Sequence, residues 1–395
     1  MPPAISLDPS REERGGLICL SHLRWNFVYQ RPQHLLSRAA ALVDVFVFEE
    51  PIFDATEPTL VASDGGPGVQ VLVPHLPPSD NVEVIEAQQR ELLNEFIDSK
   101  SFPELILWYY TPMALGFTSH LRPDLCVYDC MDELTAFRFA PPRLVEREIE
   151  LLASCDVVFT GGQSLYDAKQ DRHPHVHCCP SSIDKAHFAQ ARQLRGDSEP
   201  LDQAGIPPRR AGFFGVIDER MDMTLLQTMA AQAPDVQFVM IGPLAKIERS
   251  ELPDLPNLHW LGPKQYRELP FYLAGWDCGI MPFARNESTR FISPTKTPEY
   301  LAGGLPVVST DINDVRRPYG ELGLVAIADT AEAFLHEVRR SIETRGDAHR
   351  LKRVDQFLSD KSWDFTFGKM VQVMRQRGAS LGANPRVATD RIERV

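Results

Sequence analysis

Short apolar runs alternate with helical stretches along this chain, and the alternation restarts once. The first series of runs is Leu17–Ser21, Val43–Phe48, Val69–Pro74, Leu105–Trp108, Leu125–Asp129 and Val157–Thr160. Each is short and most end at Pro, Gly, Asp or Ser, the pattern of strands buried on both faces of a parallel sheet. Helical stretches lie between them at Pro32–Leu42, Val82–Ser99, Arg143–Ser154 and Gln163–Gln170; the second places Val82, Ile85, Leu92, Leu93 and Phe96 near one face. After Pro180 the runs are Ala211–Phe214, Gln237–Ile241, Leu258–Trp260, Cys278–Met281, Pro306–Ser309 and Leu324–Ile327. Helices are expected between these at Met223–Ala233, Arg267–Leu273, Thr295–Ala302 and Ala331–Thr344.

Strand–helix alternation makes parallel sheets wrapped by helices, and two series make two doubly wound α/β domains in tandem. The boundary is expected near 181–205, where polar residues, Pro200 and Pro207 break the pattern. A chain of 395 residues exceeds one domain at about 150 residues each. Ligands of such sheets bind beyond the carboxyl ends of the strands, so two facing domains put a site in the cleft between them.

Composition narrows the classes. With 43% hydrophobic and 24% charged residues the chain is ordinary globular protein, not disordered or fibrous. No stretch approaches the roughly 20 apolar residues that span a bilayer. The opening segment MPPAISLDPSREERGG has neither a basic nor an apolar region of a secretion signal, and the seven cysteines are an odd count. A cytoplasmic protein with reduced thiols is expected. Residues 1–183 carry 13 Lys+Arg against 26 Asp+Glu, and the remainder is balanced. An acidic front half excludes a nucleic-acid groove and a polybasic lipid-binding face.

The segment Phe291-Ile-Ser-Pro-Thr-Lys-Thr-Pro-Glu-Tyr-Leu-Ala-Gly-Gly-Leu-Pro-Val-Val-Ser-Thr310 carries the densest chemistry. Ser293 is a natural N-cap with Pro294 at the first helical position. The free N–H groups there, with Ser293, Thr295 and the charge of Lys296, form an anion site. Glu299 stands three residues beyond Lys296 on the same side of the helix, where a carboxylate can accept both hydroxyls of a ribose. A plain capping turn with a solvated Glu299 is the alternative.

This segment resembles the nucleotide-sugar-binding helix of GT-B fold glycosyltransferases, especially family 4. That family has two glutamates flanking seven residues, then an Ala-x-Gly-x-Pro-Val-Val run. Glu299 and Ala302-Gly-Gly-Leu-Pro-Val-Val308 match the second glutamate and the run, while Phe291 stands where the first glutamate would approach the donor sugar. Other segments extend the resemblance. Pro180-Ser-Ser-Ile-Asp184, followed by Phe188, is similar to the family's linker into the C-terminal domain. Gly212-Phe-Phe-Gly-Val-Ile-Asp-Glu-Arg-Met-Asp222 is similar to that domain's first strand and loop, with Arg220 in the region of a diphosphate-binding cation. Pro256-Asn-Leu-His-Trp-Leu-Gly-Pro-Lys-Gln-Tyr-Arg-Glu-Leu-Pro270 resembles the base-binding loop, where backbone groups near Gln265 and Tyr266 are implied to read the base. Trp276-Asp-Cys-Gly-Ile-Met-Pro-Phe283 matches the strand before the nucleotide helix.

Ser21-His-Leu-Arg-Trp-Asn-Phe-Val-Tyr-Gln-Arg-Pro-Gln-His-Leu35 resembles a bacterial subgroup that includes teichuronic-acid-type glycosyltransferases of surface polysaccharide pathways. It puts Trp25, Asn26, Gln30 and Arg31 at the acceptor side of the cleft. Arg31 could engage a phosphate or sugar hydroxyls bidentately, and Trp25 could stack on a sugar ring. Packing of the loop is the alternative for Trp25. Tyr109, Tyr110 and Thr111, after a strand, are expected to line the same cleft. In Tyr128-Asp-Cys-Met-Asp-Glu133, Asp132 is the candidate base for the acceptor hydroxyl, with Asp129 the rival and a loop-fixing bond the alternative role. The run His173-Pro-His-Val-His-Cys-Cys179 places His175, His177 and Cys179 on one strand face, too little for a metal centre. Asp311-Ile-Asn-Asp314 reads as a loop, not a cation site.

The resemblance implies a GT-B fold, two Rossmann-like domains facing across a cleft: 1–183 on the acceptor side, 184–360 for the nucleotide sugar, a C-terminal helix in 361–380 returning toward the first domain, and a tail over 381–395. It implies a metal-independent glycosyltransferase with no cofactor, taking a UDP-linked sugar to a saccharide or lipid-linked acceptor of a surface polysaccharide, with peripheral contact at the inner membrane face left open. Family 4 resemblance favours retention of configuration; Phe291 and Asp132 favour inversion. The alternatives are a catalytically silent sugar-nucleotide-binding protein and a sugar-nucleotide epimerase on the same fold.

Overall fold

The structure, a computed structural model, describes residues 14–196 and 199–381. The opening segment through residue 13 and all of the expected tail but Leu381 lie outside the described residues.

Eight strands form the first sheet: β1 (Gly16–Ser21), β2 (Asp44–Glu49), β3 (Thr59–Asp64), β4 (Val69–His75), β5 (Leu105–Tyr109), β6 (Leu125–Cys130), β7 (Val157–Thr160) and β8 (Val176–Cys178), in the order β3-β4-β2-β1-β5-β6-β7-β8. All neighbours are parallel except the edge pair β3 and β4. Six strands form the second: β9 (Arg210–Phe214), β10 (Gln237–Ile241), β11 (Leu258–Trp260), β12 (Cys278–Met281), β13 (Val307–Ser309) and β14 (Ala326–Ile327), in the order β11-β10-β9-β12-β13-β14. The chain reverses its direction of winding between β1 and β5 in the first sheet and between β9 and β12 in the second. Each reversal opens a crevice at the carboxyl ends of the strands.

Helices cover both faces of each sheet, which is why β1, β6, β7, β9, β10 and β12 are buried along their whole length and mostly apolar. One apolar cluster fills the second domain; two lie on opposite faces of the first sheet. The helix Trp363–Gln376 returns to the first domain, where Trp363, Phe367, Met370 and Met374 join its core.

Several elements escape the apolar pattern. The edge strand β3 is mostly exposed, so it carries no buried alternation. The helix Lys185–Gln193 forms inside the expected boundary segment because the Asp184 side chain accepts from the backbone N–H of His187 at 3.0 Å. The helix Ala348–Phe357 starts the same way on Asp347. The cap expected at Ser293 is displaced: the helix runs Lys296–Ala302, and Thr295, already helical at φ −58°, precedes it without a side-chain capping bond. Ser293 turns toward the other domain instead.

Candidate active site

A cavity of about 150 Å³ lies between the two sheets at their carboxyl ends. Phe214 and Gly215 after β9, Phe283 after β12, and the segment 292–296 form its second-domain side; Tyr29, Gln30, Met131 and Asp132 form the first-domain side. It shares Tyr29, Gly215 and Tyr266 with a wider cleft of about 720 Å³ that also holds Asn26 and Gln265.

Glu299 and Lys296 project into the cavity from one helix. Burial pushes the Lys296 ammonium down from its ordinary range, and the nearby Arg220 cation pushes the same way. Burial pushes the Glu299 carboxyl up, and Lys296 opposes the shift. The Lys296 chain lies across Gly215, where an added Cβ would sit 2.2 Å from Cε and 2.5 Å from Nζ. Gly215 also has φ +136°, so glycine is required there twice over.

Arg220 reaches the cavity on the loop after β9. Its Nε donates to Asp218 Oδ1 at 3.0 Å and its Nη2 to Oδ2 at 2.6 Å, which leaves Nη1 without a partner among the described residues. The first domain's Phe137 ring sits over the Arg220 guanidinium at 5.3 Å and the Lys246 ammonium at 4.7 Å. Asp132 faces this cationic group across the cleft: burial raises its carboxyl, and Arg220, Lys296 and Lys246 pull it back down. Its carboxylate makes no hydrogen bond among the described residues. That leaves it able to accept a proton.

Several expected site residues are held by partners within the protein: Arg31, Gln30 and Tyr266 still border the cavity and Trp25 and Gln265 the wider cleft, while Tyr109, Tyr110 and Thr111 lie away from both. Arg31 is buried, and its guanidinium is already committed: Nη2 donates to Asp129 Oδ1 at 2.8 Å and Nη1 to the Cys179 carbonyl at 2.8 Å. Three of its five N–H groups are thereby taken up, and Asp129 is its anchor. Tyr109 and Tyr110 are core residues on opposite faces of the first sheet, with the Tyr109 hydroxyl 2.8 Å from Thr118 Oγ1. Thr111 caps a short turn through the Met113 N–H and borders a separate groove beside Phe48 and Val82. Trp25 packs: its indole N–H donates to the Gly65 carbonyl at 2.9 Å and its backbone N–H to Glu49 at 2.6 Å. Gln30 opens the helix Arg31–Ala39, its N–H donating to the Gln33 side chain. The backbone N–H of Gln265 donates to Glu268 at 2.8 Å, and its carbonyl accepts from the Glu268 N–H, so this peptide is turned inward. The Tyr266 carbonyl accepts from His187 Nε2, leaving its side chain as the part that lines the cavity.

Sequence reasoning missed Tyr29 and His187, which sandwich the Tyr266 region from different domains. His187 stacks on Tyr266 at 4.3 Å and 10°, and Tyr29 lies against it at 4.7 Å. Only their aromatic character signalled this. Asp314, read as a loop residue, accepts from Ser164 of the other domain. Among the described residues no group of three or more His, Cys, Asp or Glu is placed to hold a metal, and all seven cysteines are free thiols.

Two Rossmann-like domains that face a shared cavity across a cleft define the GT-B fold. Comparisons with solved structures agree: sucrose-phosphate synthase from Thermosynechococcus elongatus matches with TM-score 0.68 at 14% identity, over 92% of this chain and 99% of the other. An Anabaena protein, HepE, in complex with UDP and glucose matches with TM-score 0.62 at 14% identity, over 91% and 99%. At such identities the likeness is one of fold. Residues 209–344 match the family profile of Glycosyl transferases group 1, so the second half of the chain carries a group 1 domain. A Bacillus subtilis (strain 168) protein named for teichuronic acid biosynthesis, glycosyltransferase TuaH, is 28% identical over 235 residues, 54% of this chain and 58% of that one. The match thus spans little more than half of that relative. No helix among the described residues is long and apolar enough to cross a membrane.

Proposed function

We propose that the protein is a glycosyltransferase that moves a sugar from a nucleotide diphosphate donor, UDP-linked, to a hydroxyl of a saccharide or lipid-linked saccharide in bacterial surface polysaccharide synthesis. The observation that carries the reading is convergence. Glu299, Lys296 and Arg220 from one domain and Asp132 from the other meet in one cavity at the strand ends.

In this reading Glu299 accepts the ribose hydroxyls. Arg220 Nη1, Lys296, the Ser293 N–H and the N–H and hydroxyl of Thr295 hold the diphosphate. The base lies against the Tyr266 side chain, with Gln265 at the edge of the wider cleft. As the acceptor oxygen bonds to the anomeric carbon, the bond from that carbon to the diphosphate oxygen breaks and its electron pair leaves with the diphosphate. Fixed cations at a dry site stabilise that charge, so no cofactor or metal enters the scheme. Asp132 takes the acceptor proton; its raised pKa suits a general base. Gln30 and Asn26 are left as acceptor-side contacts. The HepE structure's UDP and the TuaH name support a UDP donor and a surface-polymer acceptor. A cytoplasmic position at the inner membrane face fits a lipid-linked acceptor.

The test is a thermal-shift titration with UDP, GDP, ADP and dTDP on wild type and Glu299→Ala. Ligand at 100 times its Kd stabilises by about 2.7 kcal/mol. A shift with UDP alone, weakened in the variant, is expected. No shift with any nucleotide would sink the reading.

A further inference from the structure

Behind the donor segment, the two domains meet at a carboxylate. Asp314 follows β13 in the second domain and is 7% exposed. Its Oδ1 accepts from the backbone N–H of Ser164 at 3.0 Å and from the Ser164 hydroxyl at 2.5 Å, both in the first domain. Ser164 lies in the first turn of the helix Gln163–Lys169, whose N-cap, Gly162, has no side chain to satisfy the helix's free N–H groups. The second domain supplies the missing cap. The fit is close: a Cβ on Gly162 would lie 2.2 Å from Asp314 Oδ2 and 2.6 Å from Ser293 Cβ. Ser293 begins the segment that reaches Lys296 in the donor cavity.

The other end of the same helix leads to the candidate base. Lys169, nearly fully buried, pairs with Glu133 at 2.7 Å and with Glu148 at 2.6 Å. Glu133 is the neighbour of Asp132. A helix of seven residues is about 10 Å long and stiff at that length, so its two ends move together. One end is tied to the donor segment's domain, the other to the loop that carries Asp132.

We propose that Asp314 is a positioning residue: through Ser164 it clasps the donor domain to the helix Gln163–Lys169, and through Lys169 and Glu133 that helix sets where Asp132 stands relative to the bound donor. The clasp rests on the donor-site reading above and deepens it. It also assigns Gly162 a reason, since any side chain there would force the two domains apart.

The experiment compares wild type with D314A, D314N and G162A by three measurements: small-angle X-ray scattering without ligand, UDP affinity by calorimetry, and UDP release from the UDP-hexose that wild type consumes fastest. D314A and G162A are expected to show a larger radius of gyration. Misplacement of a reacting group by about 1 Å slows turnover up to about a hundredfold, so UDP release should fall at least about tenfold while the UDP Kd stays within about threefold. D314N keeps an oxygen that accepts from Ser164 and should stay within about threefold of wild type in all three readouts. The proposal is overturned if D314A scatters and turns over like wild type, or if D314N is as impaired as D314A. Should D314A not fold, G162A decides the question with Asp314 intact. If wild type binds no UDP, the donor reading fails, while ligand-free scattering still shows whether the clasp holds the domains together.

Discussion

Arg31 and Asp129, 98 residues apart, form a buried fork: Nε reaches both carboxylate oxygens at 3.1 and 3.0 Å, and Nη2 adds a third bond at 2.8 Å. The pair joins the first helix to the end of β6, and the Arg31 bond to the Cys179 carbonyl adds the end of β8. One helix start and two strand ends are thereby held together beside the cavity. Removing one partner strands a charge in the interior. Asp129→Ala should therefore lose about 3–5 kcal/mol of stability, read as a lower urea midpoint at unchanged slope. A loss below 1 kcal/mol would mean the fork is not buried in solution.

Nucleotide binding should have a bell-shaped pH dependence narrower than an ordinary Glu–Lys pair would give. Lys296 is pushed down, so it loses its charge at lower pH than a free lysine, and the diphosphate loses a counter-charge as pH rises through that point. Glu299 is pushed up, so it protonates at higher pH than a free glutamate, and the ribose loses an ionised acceptor as pH falls through it. Calorimetric UDP affinity across the pH range is the measurement. A flat profile between the usual carboxylate and lysine ranges contradicts both shifts.

Gly215→Ala tests whether the Lys296 chain must cross bare backbone. The new methyl would strike Cε, and the residue's φ of +136° adds strain for any L side chain. UDP affinity should fall about tenfold or more, equivalent to about 1.4 kcal/mol. Wild-type affinity in this variant would place Lys296 elsewhere.

Trp25→Phe separates packing from sugar recognition. The substitution removes the indole bond to the Gly65 carbonyl, a loss of about 1 kcal/mol, seen as a lower melting temperature. Turnover per folded molecule should not change. A large loss of turnover with the fold intact would return Trp25 to the sugar.

The parallel sheets were legible because burial on both faces writes itself into short local stretches: Val157–Thr160 and Cys278–Met281 need no distant partner to be recognised as strands. Glu299, Lys296 and Arg220 were legible from equally local signals, since Ser293-Pro294 marks a turn into a helix a few residues ahead of Lys296 and Glu299, and the segments around all three resemble a known nucleotide-sugar-binding helix and loop. β3 was not, because an exposed edge strand has no buried face to produce a pattern. Tyr109 and Tyr110 were misplaced because a residue at a strand's end can continue into the core or turn into the cleft, and the covering helices decide which.

By itself, the order of apolar runs, turn residues and helix stretches determined two doubly wound domains and the segments that supply the cavity, since strand and helix periodicity act over a few residues. Tertiary structure alone decided which polar groups remain available there. Whether Arg31 faces a ligand depends on Asp129, and whether Asp314 is a loop residue or a clasp depends on Ser164. Buried charges and hydrogen-bond donors must find partners wherever the fold brings them, and those partners lie about 100 residues or more away in sequence.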